Sequence, residues 1–164
     1  MFWLSLIKFF NILTVVAFMN VKLPLKPGSK DLQARWDVAT GIVQASDSPD
    51  DWALLVGIAR WESVYRPEVF DCRVKSSIGA AGAFQVLPRS MKEQHDLCTD
   101  YAESARLALV RVKESQSICR HLPKREQLSQ YVTGNCTSTE GKMHSRLRYA
   151  TGQEMFNTVN KARP

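Results

Sequence analysis

Apolar residues run almost without interruption through the N-terminal 25 positions of the chain. The stretch from residue 9 to 21 contains three polar side chains and follows Lys8, which is typical of a signal peptide. No A-x-A cleavage site is visible, so an uncleaved membrane anchor through residues 1–25 is an alternative, and a buried core helix is another. We assign residues 1–28 to a leader or anchor with its linker, and residues 29–164 to the folded domain.

Beyond this linker, apolar residues recur at helical spacing, which predicts a helix that begins at the N-cap Ser29. Its expected buried face consists of residues spaced four, three and four apart: Leu32, Trp36, Ala39 and Val43. A second helix is expected from Pro49, capped by Ser48 and ending near residue 63. Residues 52–59 are apolar almost all round, so this second helix should be buried.

The rest of the chain predicts an irregular segment followed by further helices. Residues 64–88 lack helical periodicity and contain two glycines and two prolines, which favours loops or short strands. A long helix is expected from the cap Thr99 to about Arg120, and another is opened by Pro123. The capping box Thr137-x-x-Glu140 opens the last helix. The pattern predicts a mainly α domain with a small irregular or β insert.

Composition and charge restrict the class of protein. With 164 residues, 45% of them apolar and 23% charged, the chain suits a single globular domain rather than a disordered one. The formal charge of +6 favours an anionic partner such as nucleic acid, a membrane face or an acidic glycan. Nucleic acid is disfavoured because the basic residues are scattered and no binding motif is present. Cysteines and histidines show no metal-ligand spacing, so no metal is expected.

The even number of cysteines suits two disulfides in an oxidising compartment, in agreement with an exported protein. Four buried free thiols are the alternative. Four cysteines allow three pairings. We expect Cys72 to pair with Cys98, fastening the insert to the segment before the long helix. Cys119 is then expected to pair with Cys136, tying the end of the long helix to the loop after the next helix.

One carboxylate stands out from the other acidic residues. Glu62 follows ten nearly all apolar residues at the C-terminal end of the predicted buried helix. Burial and the negative end of the helix dipole both disfavour the charged form of a carboxyl group, and a general acid needs the neutral form. The alternatives are an exposed surface glutamate, or a structural ion pair with Arg60 or Arg66.

A second unusual stretch covers residues 76–88, where small residues alternate with apolar ones around one amide side chain, Gln85. Gly79 and Gly82 permit close approach by a ligand or by another backbone. Gln85 offers both donors and acceptors, as a sugar hydroxyl or an N-acetyl group requires. The alternative is a glycine-rich turn before a helix. A phosphate loop is excluded because no Gly-Lys-Ser/Thr follows.

Three motifs carry a resemblance to a known family. Residues 60–63, Arg-Trp-Glu-Ser, resemble the glutamate signature of lytic transglycosylases, which belong to the lysozyme superfamily. Residues 78–88 are similar to the G-A-x-G-L-M-Q-x-x-P segment of that family, with Phe84 where methionine is usual. Residues 131–134 resemble its Y-N-x-G motif, with valine in place of asparagine. The motifs occur in the family's order and cover about residues 50–150.

The resemblance implies a lysozyme-like α+β fold with an active-site groove beside the insert, and it implies roles for particular residues. Glu62 would be the sole catalytic acid and base. Ser63 would position the substrate or the insert, and Tyr131 would hydrogen-bond or orient Glu62. The substrate-binding residues would further include Gly82, Phe84 and Gln85.

The implied activity is cleavage of the β-1,4 bond between N-acetylmuramic acid and N-acetylglucosamine in peptidoglycan glycan strands, without a cofactor. The sugar's own C6 hydroxyl would replace water and leave a 1,6-anhydromuramyl end. A hydrolytic lysozyme is the close alternative, and its second carboxylate would be Asp71 or, less well placed, Glu68. A non-catalytic glycan-binding or assembly protein of a secretion apparatus or phage particle is a third reading. Each places the protein outside the cytoplasm: periplasmic, extracellular, membrane-anchored or in a phage particle.

Overall fold

The computed structural model describes the backbone of residues 2–22, 25 and 31–161. Side chains are described for residues 8–20, 25, 31–158 and 161. The predicted N-cap Ser29 lies outside these ranges.

The described chain is mainly helical, as the sequence predicted. Its helices, in chain order, are α1 (Phe2–Lys22), α2 (Asp31–Ala45), α3 (Pro49–Glu62), α4 (Pro67–Phe70), α5 (Met91–Thr99), α6 (Tyr101–Ile118), the short 3-10 helix Lys124–Glu126, α7 (Ser129–Thr133) and α8 (Thr139–Lys161). No strand occurs among the described residues. An isolated antiparallel bridge between Ala81 and Val86 stands where a β insert was expected.

Helix α3 lies at the centre of the fold, and residues 52–59 are all buried as predicted. Its most extensive helix packing is against α8. A Cβ atom added at Gly57 would lie 2.2 Å from the Arg148 carbonyl oxygen, and one at Gly152 would lie 2.4 Å from the Ala53 carbonyl oxygen. The two backbones therefore touch where α3 and α8 cross, and no methyl group fits between them. This contact fixes α8 against the second half of α3.

We expect Gly152→Ala to lower the free energy of unfolding by about 1–3 kcal/mol, because the new methyl group must push the two backbones apart. The better helix propensity of alanine, about 1 kcal/mol, works in the opposite direction and is outweighed. Urea denaturation measures the change. The comparison variant is Ala150→Gly at an exposed position of the same helix, which loses about 1 kcal/mol of propensity alone. A Gly152→Ala protein that is more stable than wild type would contradict the close crossing.

The buried face of α2 differs from the predicted one. Ala39 and Val43 are buried, but Leu32 is 47% exposed. The helix packs against both α1 and α6, so its buried surface is wider than one stripe and follows a different row of side chains. The buried residues of α2 are Ala34, Arg35, Val38, Ala39, Gly41, Ile42 and Val43.

The long helix α6 begins one residue later than predicted. Asp100 is its N-cap and accepts a hydrogen bond from the Glu103 backbone N–H at 3.0 Å, whereas Thr99 ends the preceding helix α5. The sequence interpretation did not include α5. The sequence does contain a signal for α5, because a serine suited to the N-cap, Ser90, stands before it. In the structure the Ser90 hydroxyl oxygen accepts from the Glu93 backbone N–H at 3.1 Å.

Smaller shifts occur towards the C-terminus. Pro123 precedes a single 3-10 turn rather than a continuous helix. Gly134 ends α7 in the left-handed conformation, as expected. The cap of α8 is Ser138 and not Thr137, since the Ser138 hydroxyl oxygen accepts from the Gly141 N–H at 3.0 Å.

Helix α1 lies against α2 and contributes buried side chains to the core. Arg35 of α2 donates to the Met19 carbonyl at 3.3 Å and to the Asn20 side-chain oxygen at 2.9 Å. This packing corresponds to the buried-helix alternative, while the leader or anchor assignment of residues 1–28 stays a prediction. No helix in the described part of the chain is both long enough and apolar enough to cross a membrane. The buried residues of α1 are Val15, Val16, Phe18 and Met19.

Both expected disulfides are confirmed. Cys72 after α4 is bonded to Cys98 in α5, and Cys119 at the end of α6 is bonded to Cys136 after α7. The first bond attaches the insert to the helical body. The second fixes the loop that follows α7. Two disulfides are typical of an oxidising, exported environment.

Candidate functional site

A groove of about 590 Å³ opens at the C-terminal end of α3. Its walls come from the turn around the Ala81–Val86 bridge, from α6 and from α7. Glu62, Gln85 and Tyr131 all line it, one from each of the three motifs. The fold therefore brings the key polar residue of every motif into one groove.

The Glu62 carboxylate is held by an arginine of α8. Its Oε1 atom accepts from Nε of Arg148 at 3.1 Å and from Nη2 at 2.5 Å, while Nη1 donates to the His144 carbonyl at 2.8 Å. The Arg148 side chain is 5% exposed and that of Glu62 is 18% exposed. No hydrogen bond from a described residue reaches Oε2. The guanidinium thus holds one carboxylate oxygen from behind and leaves the other available to the groove.

The pairing of Glu62 corrects the partners expected from the sequence. Arg66 lies 3.9 Å from Glu68 instead, and Arg60 makes no ion pair among the described residues. Besides burial and the helix end, Glu62 has a buried cation beside it that no local pattern in the sequence indicates. Two charge-assisted hydrogen bonds from Arg148, 86 positions away in the sequence, bind Oε1 of this carboxylate.

Tyr131 does not hydrogen-bond Glu62, although this was one of its two predicted roles. Its hydroxyl donates to the Phe84 carbonyl at 2.5 Å, and its backbone N–H donates to the Ser115 hydroxyl at 3.0 Å. Burial, reinforced by the nearby Glu62 carboxylate, raises the pKa of the Tyr131 phenol well above its usual range. Tyr131 therefore remains a neutral donor that fixes the bridge turn beside Glu62.

Gln85 sits at the corner of that turn and faces the groove. The Ala81–Val86 bridge is closed by backbone hydrogen bonds of 3.0 and 3.1 Å. Gln85 has φ +49°, in the left-handed region that is unfavourable for a residue with a side chain. Its Nε2 donates to the Gly82 carbonyl at 3.0 Å, and no described residue bonds its Oε1. Val64, Tyr65 and Cys72 share this conformation without lining the groove, so the ligand-binding role of Gln85 stays a prediction.

Three other residues assigned to the site do not line the groove. Ser63 is fully buried and its hydroxyl donates to the Ala59 carbonyl at 2.8 Å. A Cβ atom at Gly82 would lie 2.4 Å from the Leu97 carbonyl oxygen, so this glycine serves close packing against α5. The Phe84 ring is 1% exposed and belongs to the core. The Ser63 and Phe84 side chains and the Gly82 backbone pack inside the end of α3 and the turn, away from the groove lining.

The two candidates for a second carboxylate also lie outside the groove. Asp71 forms an ion pair with Arg73 at 2.8 Å, and Glu68 is similarly absent from the groove lining. Glu114 of α6 lines the groove instead, and sequence analysis missed it. It binds Arg89 at 2.7 Å, a contact that lowers the pKa of Glu114 below its usual value. The only sequence signal was the i,i+3 spacing of Arg111 and Glu114 on a helix.

The groove offers acid–base and hydrogen-bonding chemistry. It contains a carboxylate with one oxygen available, an amide with a free carbonyl, a neutral phenol and the paired arginines 89 and 111. Within the described ranges, no group of three or more histidines, cysteines or carboxylates is arranged to hold a metal ion. These groups suit a ligand that is rich in hydroxyl and amide groups.

Comparison with known proteins adds no family. No protein-family model matches the chain, and no curated protein and no solved structure matches it.

Proposed function

We propose that this protein cleaves the β-1,4 bond between N-acetylmuramic acid and N-acetylglucosamine in peptidoglycan, with Glu62 as general acid and base. The observation that carries the proposal is that Glu62, Gln85 and Tyr131 line one groove although they are far apart in sequence. An acid in a groove with convergent polar groups is the arrangement that glycan cleavage needs.

The proposed reaction uses one carboxyl group twice. Glu62 donates a proton from Oε2 to the bridging oxygen as the C1–O bond breaks, and the acetamido oxygen of the muramyl sugar stabilises the developing cation. The Glu62 carboxylate then takes the proton of the C6 hydroxyl, whose oxygen bonds to C1 and closes the anhydro ring. The proton that Glu62 gives to the bridging oxygen is thus replaced by the proton of the C6 hydroxyl. No water, metal or cofactor takes part.

The carboxylates around the groove support this non-hydrolytic route. A hydrolytic enzyme needs a second carboxylate to activate water or to act as a nucleophile. Asp71 and Glu68 lie outside the groove, and both oxygens of Glu114 accept hydrogen bonds from Arg89. Glu114 is therefore engaged as a structural anion rather than free to activate water.

Digestion of purified peptidoglycan should release fragments with 1,6-anhydromuramyl ends. Mass spectrometry identifies these ends because each fragment is one water lighter than its hydrolysed counterpart. Hydrated reducing ends, together with loss of activity in Glu114→Gln or Asp71→Asn, would instead establish a hydrolytic lysozyme. Release of no soluble fragment at all would exclude cleavage.

A second function is favoured by one observation, the buried ion pair between Glu62 and Arg148. A pair that only ties α3 to α8 would suit a non-catalytic glycan-binding or assembly protein of a secretion apparatus or phage particle. Such a protein would sediment with insoluble peptidoglycan but release no muropeptides. In both proposals the protein acts outside the cytoplasm, in the periplasm or beyond.

A further inference from the structure

Helix α8 carries two arginines that bind glutamates with almost the same geometry. Arg146 donates to Oε1 of Glu126 from Nε at 3.0 Å and from Nη2 at 2.5 Å. Arg148 donates to Oε1 of Glu62 from the same two atoms at 3.1 and 2.5 Å. The two pairs differ in which partner is buried, and this difference points to different roles.

In the Arg146 pair the cation is 53% exposed and the carboxylate is 9% exposed, so the arginine covers a buried acid. In the Arg148 pair the cation is 5% exposed and the carboxylate is 18% exposed, so the acid stands in front of a buried arginine. The exposed side of Glu62 belongs to the groove. This orientation is the one required if the carboxylate works on a ligand and the arginine supports it.

The position of Arg148 is set by the backbone as well as by its hydrogen bonds. The absence of a side chain at Gly57 allows the Arg148 carbonyl to contact α3 directly. At the other end of the side chain, Nη1 donates to the His144 carbonyl one turn earlier in α8. Arg148 is therefore held both at its backbone and at its guanidinium group. Little conformational freedom of the side chain remains to be lost when it binds Glu62.

Stability alone is a weak reason for such a pair. Removing two charges from water costs several kcal/mol per ion, and apolar residues of similar volume are often equally stabilising. A buried arginine behind a groove carboxylate is better explained by what it does to that carboxylate.

We propose that Arg148 is the positioning residue of Glu62. By binding Oε1 it turns Oε2 towards the bond that is cleaved, and it stabilises the negative charge on Glu62 between proton donation and proton retrieval. This inference rests on the proposed function, because it assigns a task within that reaction. It adds a residue that none of the three motifs contains.

The test is steady-state kinetics on soluble glycan fragments with Arg148→Met, Arg148→Lys and the matched control Arg146→Met. Arg148→Met should lower kcat by about 10–100-fold with KM changed by no more than about twofold, because positioning acts on the reacting atoms rather than on glycan binding. Arg148→Lys should recover part of kcat, since it retains the charge. Arg146→Met breaks a pair of the same geometry away from the groove and should retain the wild-type kcat.

Chemical rescue separates positioning from a folding defect. Methylguanidinium added to Arg148→Ala should restore part of kcat in a saturable manner and should leave the circular dichroism spectrum unchanged. A wild-type kcat in Arg148→Met, or an equal loss in Arg146→Met, would overturn the role of Arg148 while leaving the proposed function in place. A wild-type protein that releases no product would overturn both.

Discussion

Glu62→Gln is expected to reduce cleavage of cell-wall substrate by about 10²–10⁴-fold, the range that a general acid–base group contributes. The amide has nearly the shape of the carboxylic acid but can neither donate the proton to the bridging oxygen nor recover one from the C6 hydroxyl. Its carbonyl oxygen can still accept from Arg148, so the side chain keeps its place. Release of soluble muropeptides, followed by chromatography, measures the loss.

The matched control for this variant is Glu126→Gln. Glu126 has the same two hydrogen bonds from an arginine of α8, but it does not line the groove. Each amide weakens a charge-assisted pair, so both variants should lose some stability. Only Glu62→Gln should lose activity. Clearing of substrate at the wild-type rate by Glu62→Gln would show that the catalytic assignment is wrong.

Reduction of both disulfides is expected to unfold most of the protein at about 37 °C. The bonds close loops with sequence separations of 26 and 17 residues. A disulfide that closes a loop of this size stabilises the folded protein by about 3 kcal/mol, because it lowers the conformational entropy of the unfolded chain. Together they account for about 6 kcal/mol, which is a large part of the 5–15 kcal/mol that holds a typical domain together.

Removing one disulfide at a time should separate their local effects. Replacing Cys119 and Cys136 by serine frees the loop that follows α7. Because α7 carries Tyr131, which lines the groove, activity should fall along with stability. Replacing Cys72 and Cys98 should mainly release the insert between α4 and α5. Chemical denaturation measures each loss, and non-reducing peptide mapping verifies the bonds. A fully reduced protein with an unchanged denaturation midpoint would contradict this prediction.

Much of the fold follows from patterns within short stretches of the sequence. The apolar run of residues 52–59 predicted the buried helix α3, and Gly134 predicted the end of α7. Both predictions are correct because the burial of a whole helix and a left-handed cap each depend on residues that are neighbours in the chain. Where two local signals compete, as at Thr99 and Asp100, the position of the cap was wrong by one residue.

The residues of the groove, too, were only partly predictable from short stretches of the sequence. The three motifs contain Glu62, Gln85 and Tyr131, and all three line the groove. The same motifs also contain Ser63, Gly82 and Phe84, three buried residues that do not line the groove. A motif marks which segments meet, but the direction of each side chain depends on the turn that the segment adopts.

The sequence by itself determined the buried helix and the candidate general acid at its end, because a run of apolar residues is a local pattern. It limited the four cysteines to three possible pairings, and the tertiary structure selected the expected one. Only the tertiary structure decided the partner of Glu62. Arg148 is 86 positions away and reaches the carboxylate because Gly57 and Gly152 let α8 touch α3. Hydrophobic periodicity shows that a helix has a face to bury, but not which helix will cover that face. Because α8 is the helix that covers α3, the cation beside Glu62 is Arg148.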